Sequence, residues 1–571
     1  MNDFDREEIG ARSDDSESLD FFPPHYRIGR TKFIVVTGGV MSGVGKGVCT
    51  ASLSHLLQQL GFSVTTMKID GYLNVDAGTL NPYRHGETFV LDDGTECDLD
   101  LGTYERFLDT TLNRHNYMTS GKIYARILAK ERRGEYLGRD VQIVPHVTGE
   151  IKYLMRQKAQ EGPYDMVLVE IGGTVGDIEN VHFIEAAREL IRDEGRDNVM
   201  YIHVTMVPWS EATGEQKSKP TQHSIKKLLE MGVQPDIIVC RSKHDLQRKV
   251  REKISLHGNV LSDHVISSPD TESVYTLPAL FQEQHLAETV ISRLRLNMPY
   301  PAEGEKQVPF APFVRHARRK NPPLTIAMTG KYSTMKDSYL SITNALEHTE
   351  PDEGVHIDVR FLDTTDFDNA TPAVLRENLH DVHGILVPGG YGVRGTEGMI
   401  RCIRYARERQ VPYLGLCLGF QLAAIEFARS VCGVEKAAST EFDPHTQEPL
   451  ICLLPEQQQV RDLGGTQRLG GHDVALLPGS RVQAMYGRDT VRERFRHRYE
   501  LNNDYKATFE KCGVVFCGMT PDRRVMQILD YPVHPFFVAT QFHPELLSRP
   551  LRPHPLFLAF VQAAKKYQNP S

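Results

Sequence analysis

No two cysteines in this sequence stand at CxxC spacing, and no apolar run approaches the ~18 residues that a membrane span requires. The nine cysteines are scattered and odd in number, which argues against a disulfide framework or a zinc module and fits a reduced compartment. A basic excess is also missing. Sixty-six Lys and Arg stand against 74 Asp and Glu, a net charge of -8, where a general nucleic-acid binder carries the opposite balance. The opening stretch, MNDFDREEIGARSDDSESLDFF, has no apolar core, so neither a secretion signal nor a mitochondrial presequence is expected. There is no internal repeat and no coiled-coil pattern. The expectation is a cytoplasmic protein whose partners are neither nucleic acid nor membrane. What is present is a globular composition, 40% hydrophobic and 25% charged, over 571 residues. That is too long for one core, so about two to four domains are expected.

Residues 1–30 read as a solvated acidic tail. From Thr31 onward, continuous β-branched runs predict strands buried on both faces, at Phe33–Val36, Val64–Ile69, Met166–Ile171, Val199–Val207 and Ile237–Cys240. Ser52–Leu60 and Ile184–Ile191 between them have helical spacing, and this alternation predicts a parallel sheet covered on both sides. Residues 298–323, MPYPAEGEKQVPFAPFVRHARRKNPP from Met298, are rich in proline and charge and read as a linker. A second α/β series follows, at Leu324–Met328, Ile357–Phe361, Gly384–Pro388 and Pro412–Leu416. Its last third, Val514–Gly518, Val525–Leu529 and Phe537–Phe542, has strands with few helices, and Gln447–Gly471 reads as loop.

After the first strand comes TGGVMSGVGKGV, with Gly38, Gly39, Gly43, Gly45 and Gly47 around Lys46. Glycines let a tight loop aim several N–H groups at one anion, and the following helix adds its positive end. The spacing is not a strict Walker A, and Gly47 stands where Ser or Thr would hold magnesium. A plain glycine-rich turn is the alternative. If Gly47 cannot hold the metal, carboxylates must, and Asp100 in CDLDLGTYERF and Glu170 at the end of MVLVE are the candidates. By itself Asp100 reads as an ordinary loop acid, whereas Glu170, an acid after four apolar strand residues, needs a partner. Lys68, read as ending the second strand in MKID, is a further candidate. So are the acids of GDIEN, Asp177 and Glu179, and Lys217 and Lys219 in GEQKSKPTQHS, although paired lysines are often only a solvated face. Pro220 predicts an extended loop there.

In VPYLGLCLGFQLAAIEFA a short apolar strand runs into Gly415-Leu416-Cys417-Leu418-Gly419 and then a helical pattern. This is a strand-to-helix elbow with a thiol beside a helix N-terminus, where the dipole favours thiolate. A cysteine nucleophile needs a base and a group that orients it. QFHPE near the end of the chain offers His543 and Glu545, two residues apart after an apolar strand and so on one face. Oxyanion donors are expected from the Leu418 N–H and from Gly389-Gly390.

Cys417, His543 and Glu545 resemble the triad of class I glutamine amidotransferases. GGVMSGVGKG, MKID, DLDLGTYERF, VEIGGTVGDIE and KSKPTQHS resemble the synthase domain of the CTP synthase family, and the likeness covers residues 31–565. It implies two doubly wound α/β domains: a P-loop, dethiobiotin-synthetase-like synthase domain at 31–297, and a flavodoxin-like class I glutamine amidotransferase domain at 324–565. A short tail, 566–571, ends the chain. The implied activity is ATP-dependent amination of UTP to CTP through 4-phospho-UTP, with ammonia from glutamine or from solution. Cys417, His543 and Glu545 would release the ammonia. Gly390, Leu418, Gly419, Phe420, Gln421, Glu441 and Arg498 would hold glutamine.

In the synthase domain, the resemblance gives Lys46 and Lys68 the phosphoryl charge and assigns Mg²⁺ to Asp100 and Glu170. ATP would contact Gly43, Val44, Gly45, Lys46, Gly47, Val48, Asp100, Asp270 and Thr271. UTP, and CTP overlapping it, would contact Ser42, Asp177, Ile178, Glu179, Lys217, Ser218, Lys219, Pro220, Thr221, Gln222 and Lys253. The resemblance further implies GTP activation, feedback inhibition by CTP, an ammonia passage, and homotetramers that stack into filaments. One departure stands out: His257 in REKISLHGNV occupies a place where the family pattern usually has an aromatic residue, which predicts altered CTP inhibition. Two rival readings are another ATP-dependent amide ligase with an amidotransferase domain, and a filament-forming homologue without activity. The latter would be marked by a broken triad or a missing Lys46, Asp100 or Glu170, and none is missing.

Overall fold

The computed structural model describes residues 21–298, 307–331, 336–453 and 467–569. Most of the expected acidic tail, residues 299–306 of the expected linker, 454–466 of the loop-rich segment and the last two residues lie outside the described residues. The chain forms two compact units. One comprises the chain to Asp76 with His115–Ala311; the other comprises Ala77–Arg114 with Pro312–Ser571. Residues 77–114, inside the span expected for the synthase domain, thus cluster with the second unit. Part of the expected linker is also helical, at Ala311–Ala317, where Phe313 is buried.

The first unit is built on a seven-stranded, wholly parallel sheet. In chain order it contains β1 (Lys32–Gly38), helix α1 (Lys46–Gln59), β2 (Val64–Asp70), β3 (Tyr117–Thr119), β4 (Met166–Ile171), α2 (Val181–Glu194) and β5 (Val199–Met206). Helix α3 (Lys219–Glu230), β6 (Ile237–Ser242), α4 (Arg248–Gly258) and β7 (Val265–Pro269) complete it. The strand order is β7-β6-β5-β1-β4-β2-β3. All residues of β2 and β4 are buried, including the charged Lys68, Asp70 and Glu170 toward their carboxyl ends. β1 lies in the middle, flanked by two later strands, and the crevice beyond its carboxyl end is where open sheets of this kind bind ligands.

The second unit holds a nine-stranded mixed sheet. Its elements are β8 (Pro323–Gly330), α5 (Leu340–Glu347), β9 (His356–Asp363), β10 (Gly384–Val387), α6 (Thr396–Arg409), β11 (Tyr413–Leu416), α7 (Leu418–Ser430), β12 (Arg468–Leu476), β13 (Thr490–His497), β14 (Val515–Met519), β15 (Met526–Asp530), β16 (Phe537–Thr540) and α8 (Pro555–Gln568). The order is β9-β8-β10-β11-β16-β15-β14-β12-β13, parallel through β16 and antiparallel beyond. Two apolar clusters cover the sheet's two faces, one formed largely by α6 and α7 and the other by α5 and α8.

Candidate active sites

In the first unit, β1 delivers the chain into the glycine loop. Gly43 and Gly45 take φ of +69° and +96°, left-handed values that a Cβ would strain, and Gly45 caps α1. Lys46 opens that helix. A Cβ on Gly38 would lie 2.6 Å from Lys46 Cδ, so the lysine stem folds back over the end of β1, and its Nζ donates to the Gly173 carbonyl at 2.7 Å. Behind it, burial first and Lys46 second push His203 down to about 3. This neutral imidazole bridges Thr37 Oγ1 at 3.0 Å and Ser224 Oγ at 2.7 Å.

Lys68 does not end its strand: β2 continues to Asp70. Lys68 faces Glu170 across the β2–β4 pair, Nζ to Oε1 is 3.1 Å, and Asp70 Oδ1 lies 3.8 Å from the same nitrogen. Carboxylates are the protein share of an ordinary Mg²⁺ donor set, with phosphate oxygens and water supplying the rest. Glu170 and Asp70, which the sequence pattern did not single out, fit that chemistry. No preformed cluster of three metal-ligating side chains exists among the described residues. Asp100 belongs to the second unit, in the first turn of the helix Leu99–Leu108, where its N–H donates to Asp98 Oδ1 at 2.9 Å.

The other nucleotide candidates of the first unit fall into groups. Ser42 and Gly43 are exposed, Val44 and Gly47 are buried, and Val48 is half-buried. Arg241 donates to the Gly43 carbonyl at 2.9 Å and pairs with Asp270 at 3.1 Å, tying Asp270 to the glycine loop. The Thr271 hydroxyl donates to the Ser273 carbonyl at 3.0 Å. Asp177 accepts from the Thr174 N–H at 3.0 Å, and Ile178 and Glu179 after it are exposed.

The expected extended loop around Pro220 is instead a helix start. Lys219 is the first residue of α3 and Pro220 sits in its first turn, where a missing N–H costs nothing. Lys217 and Lys219 are exposed, Thr221 is buried and donates to the Met206 carbonyl at 2.8 Å, and Gln222 donates to Ser218 Oγ at 3.0 Å. Lys253 and His257 lie exposed on α4.

In the second unit, Cys417 takes φ +52° and ψ -97° between β11 and α7, the strained elbow that the motif implies. Gly415 and Gly419 permit it. A Cβ on Gly415 would lie 2.9 Å from the Gly419 backbone, and one on Gly419 would lie 2.3 Å from the Val387 carbonyl. The Cys417 N–H donates to the Thr540 carbonyl at 2.7 Å, anchoring the elbow to β16. His543 follows β16, and its Nδ1 meets Glu545 Oε1 at 2.7 Å. The pair comes together through the short 3-10 turn Pro544–Leu546 and not through alternation along a strand.

Burial works against charge on His543, but Glu545 and Cys417 outweigh it and raise the imidazole to about 10. His543 Nε2 and Glu545 Oε2 are buried without a hydrogen-bond partner among the described residues. A Cβ on Gly389 would stand 2.9 Å from the His543 ring and 3.6 Å from Cys417 Cβ, so the Gly389-Gly390 loop lies directly over the triad. These groups line a cavity of about 90 Å³ together with Pro82, Glu87 and Arg496.

The glutamine candidates divide in the same way. Leu418 and Gly419 form the first turn of α7, whose N–H groups have no helical acceptor. Phe420 is wholly buried in the core behind the elbow, so only its backbone is available to a ligand. Glu441 accepts from the Gly392 N–H at 2.6 Å, and burial raises its carboxyl. Arg498 is half-buried between β13 and the strand Tyr499–Leu501. Lys331, which the sequence pattern did not flag, is pushed down to about 8 chiefly by burial, and it donates to the Tyr391 and Gly392 carbonyls behind the glycine loop.

The family model for the CTP synthase N-terminus matches residues 32–296, and that for class-I glutamine amidotransferase matches residues 334–563. A CTP synthase of Staphylococcus aureus is 47% identical over 539 residues, covering 94% of this chain and 99% of its own. One from Staphylococcus carnosus is 49% identical over the same shares. The chain belongs to the CTP synthase family. It carries both parts of a family member in order, and the rival amide-ligase reading falls with that match. Among solved structures, the chain is similar to the glutaminase domain of Trypanosoma brucei CTPS with bound acivicin, at 33% identity and a TM-score of 0.40, over 43% of this chain and 94% of that one.

Proposed function

We propose that the chain makes CTP by two reactions at two centres, with Cys417 freeing ammonia from glutamine and the glycine-loop unit activating UTP with ATP. The observation that carries this reading is the strained Cys417 elbow beside the charged His543–Glu545 pair, in a chain that also holds Lys46 and the Lys68–Glu170 pair. The Cys417 thiolate attacks the side-chain amide carbon of glutamine. N–H groups of Gly390 and Leu418 receive the oxyanion, and His543 returns the proton to the leaving ammonia while Glu545 orients and charges the ring. Water, deprotonated by His543, cleaves the thioester to glutamate and regenerates the thiol.

In the other unit, the uracil O4 of UTP attacks the γ-phosphorus of ATP. The product, 4-phospho-UTP, carries a good leaving group where a carbonyl oxygen was a poor one. Ammonia adds at C4 and inorganic phosphate departs. Lys46 and Lys68 hold the charge that builds on the transferred phosphoryl group. Mg²⁺, when bound, would supply further neutralisation of that charge, with Glu170 and Asp70 beside Lys68 as the carboxylates that would hold it.

The nucleotide and glutamine residues named above belong to this proposal, as do GTP activation, CTP feedback and assembly into homotetramers and filaments, for which the family resemblance is the support. Ammonia in water is mostly ammonium near neutral pH, which gives a passage between centres its physical reason. All nine cysteines are free thiols, and a reducing compartment such as the cytoplasm keeps Cys417 in the state the reaction needs. No helix among the described residues is long and apolar enough to cross a membrane.

The test is the ultraviolet change on conversion of UTP to CTP with ATP, Mg²⁺ and either glutamine or ammonia. Cys417→Ala abolishes the glutamine reaction and keeps the ammonia reaction. Loss of both in a folded variant, or no amination by the unaltered chain, overturns the reading.

A further inference from the structure

Besides His543, the sulfur of Cys417 has two polar neighbours of opposite chemistry. On one side the Arg496 carbonyl lies 3.7 Å from Sγ and can only accept, so it holds the neutral thiol. On the other, Gln541 Nε2 lies 3.7 Å from Sγ and can only donate, so it favours the thiolate. Gln541 is wholly buried. The direction of its amide follows from its neighbours. Tyr499 offers a carbonyl, an acceptor, to Gln421 at 2.9 Å, which places the NH₂ group of Gln421 there. The same NH₂ lies 3.3 Å from Gln541 Oε1, and a donor at that end turns the Gln541 amide so that its own NH₂ meets the sulfur.

We infer that Gln541 is a catalytic residue of the glutaminase centre, donating a hydrogen bond to the Cys417 thiolate, and that Gln421 is the positioning residue that fixes its orientation. The inference rests on the reading of Cys417 as nucleophile. It assigns a task to the first residue of QFHPE, and it gives Gln421, which the family resemblance assigns to glutamine, a role in aiming its neighbour. When the S–H proton passes to His543, the Arg496 carbonyl becomes a repulsive neighbour of the anion. Gln541 and the first turn of α7 are then the donors at the sulfur beside the protonated His543 itself. A side chain of similar volume without the N–H leaves the thiolate facing the carbonyl with one donor fewer.

The experiment is alkylation of Cys417 by iodoacetamide in the full-length chain, followed by mass spectrometry of the Cys417 peptide across the pH range in which thiols ionise. Gln541→Leu is expected to move the midpoint upward by about one pH unit, the scale of one modest hydrogen bond to a charged group. Gln541→Glu moves it further, because it places an acceptor or an anion at the sulfur. Gln421→Leu moves it less, because the donor survives but loses its alignment. Coincidence of the variant and unaltered midpoints overturns the inference, including where Gln541→Leu merely melts earlier. If Gln541→Leu does not fold, the Gln421→Leu midpoint decides alone. A different result, alkylated Cys417 with glutamine hydrolysis intact, would overturn the nucleophile reading itself.

Discussion

Lys68 and Glu170 occupy facing positions on neighbouring parallel strands, and their charged ends meet 3.1 Å apart in a site almost closed to solvent. Lys68→Met leaves Glu170 and Asp70 as neighbouring acids without their shared cation. Breaking a buried pair in this way costs about 3–5 kcal/mol. CTP formation from ammonia is expected to fall by ~10²-fold or more, since a donor aimed at developing charge is gone. Mg²⁺ is expected to raise the melting temperature of Lys68→Met more than that of the unaltered chain. Equal shifts would argue against a cation site at these carboxylates.

The charge on His543 makes the second unit sensitive to alkali. Its pKa is raised from an unfolded value near ~6.5 to about 10 in the fold. The folded state therefore binds the proton more tightly, and the stability this contributes is fully present below the unfolded value and lost as pH rises through the folded one. The stability advantage of the unaltered chain over Glu545→Gln should shrink across that interval in denaturant titrations. The same variant should lower kcat for glutamine hydrolysis by ~10³-fold or more, because the imidazole loses its orienting carboxylate. A constant difference across the interval would contradict the charged pair.

Glu105, wholly buried, receives both Nη groups of Arg494 at 2.8 and 2.9 Å and Arg549 Nη2 at 2.9 Å. Burial pulls Arg549 down to about 10 even beside this partner. Glu105→Leu strands two guanidinium groups, and a loss of about 3–5 kcal/mol in urea unfolding is expected. An unchanged midpoint would show that the segment 77–114 adds nothing to the stability of the unit that contains it.

His257 lies exposed in the last turn of α4, one turn after Lys253. An imidazole stacks on a pyrimidine less well than a benzene ring. His257→Phe is expected to strengthen inhibition by CTP in the ammonia-dependent assay. Superimposable inhibition curves would remove this residue from consideration.

Much of the scaffold was legible in the chain. The runs at Val64–Ile69, Met166–Ile171 and Ile237–Cys240 lie within β2, β4 and β6, because strands buried on both faces favour β-branched and apolar residues, with Thr65, Thr66 and Lys68 the polar exceptions in β2. The Gly-x-Cys-x-Gly elbow was legible because only small residues survive the 2.3 Å and 2.9 Å approaches that a side chain at Gly419 or Gly415 would meet. Lys68 and Pro220 were read less well. A strand's last residue and a helix's first turn depend on neighbours that local pattern does not contain, and proline suits the start of a helix as readily as an extended loop.

The sequence by itself determined the two α/β units, the glycine loop before Lys46, and the thiol, imidazole and carboxylate proposed as the glutaminase centre, since each of these depends on residue type and short spacing. Only the tertiary structure decided that residues 77–114 pack with the second unit, that Asp70 joins Glu170 around Lys68, and that Gln541 turns its amide nitrogen toward Cys417. The physical reason is range. Backbone preference and hydrophobic periodicity act over a few residues, whereas the desolvation of a buried charge or amide is relieved by whichever distant group the fold brings within about 3 Å.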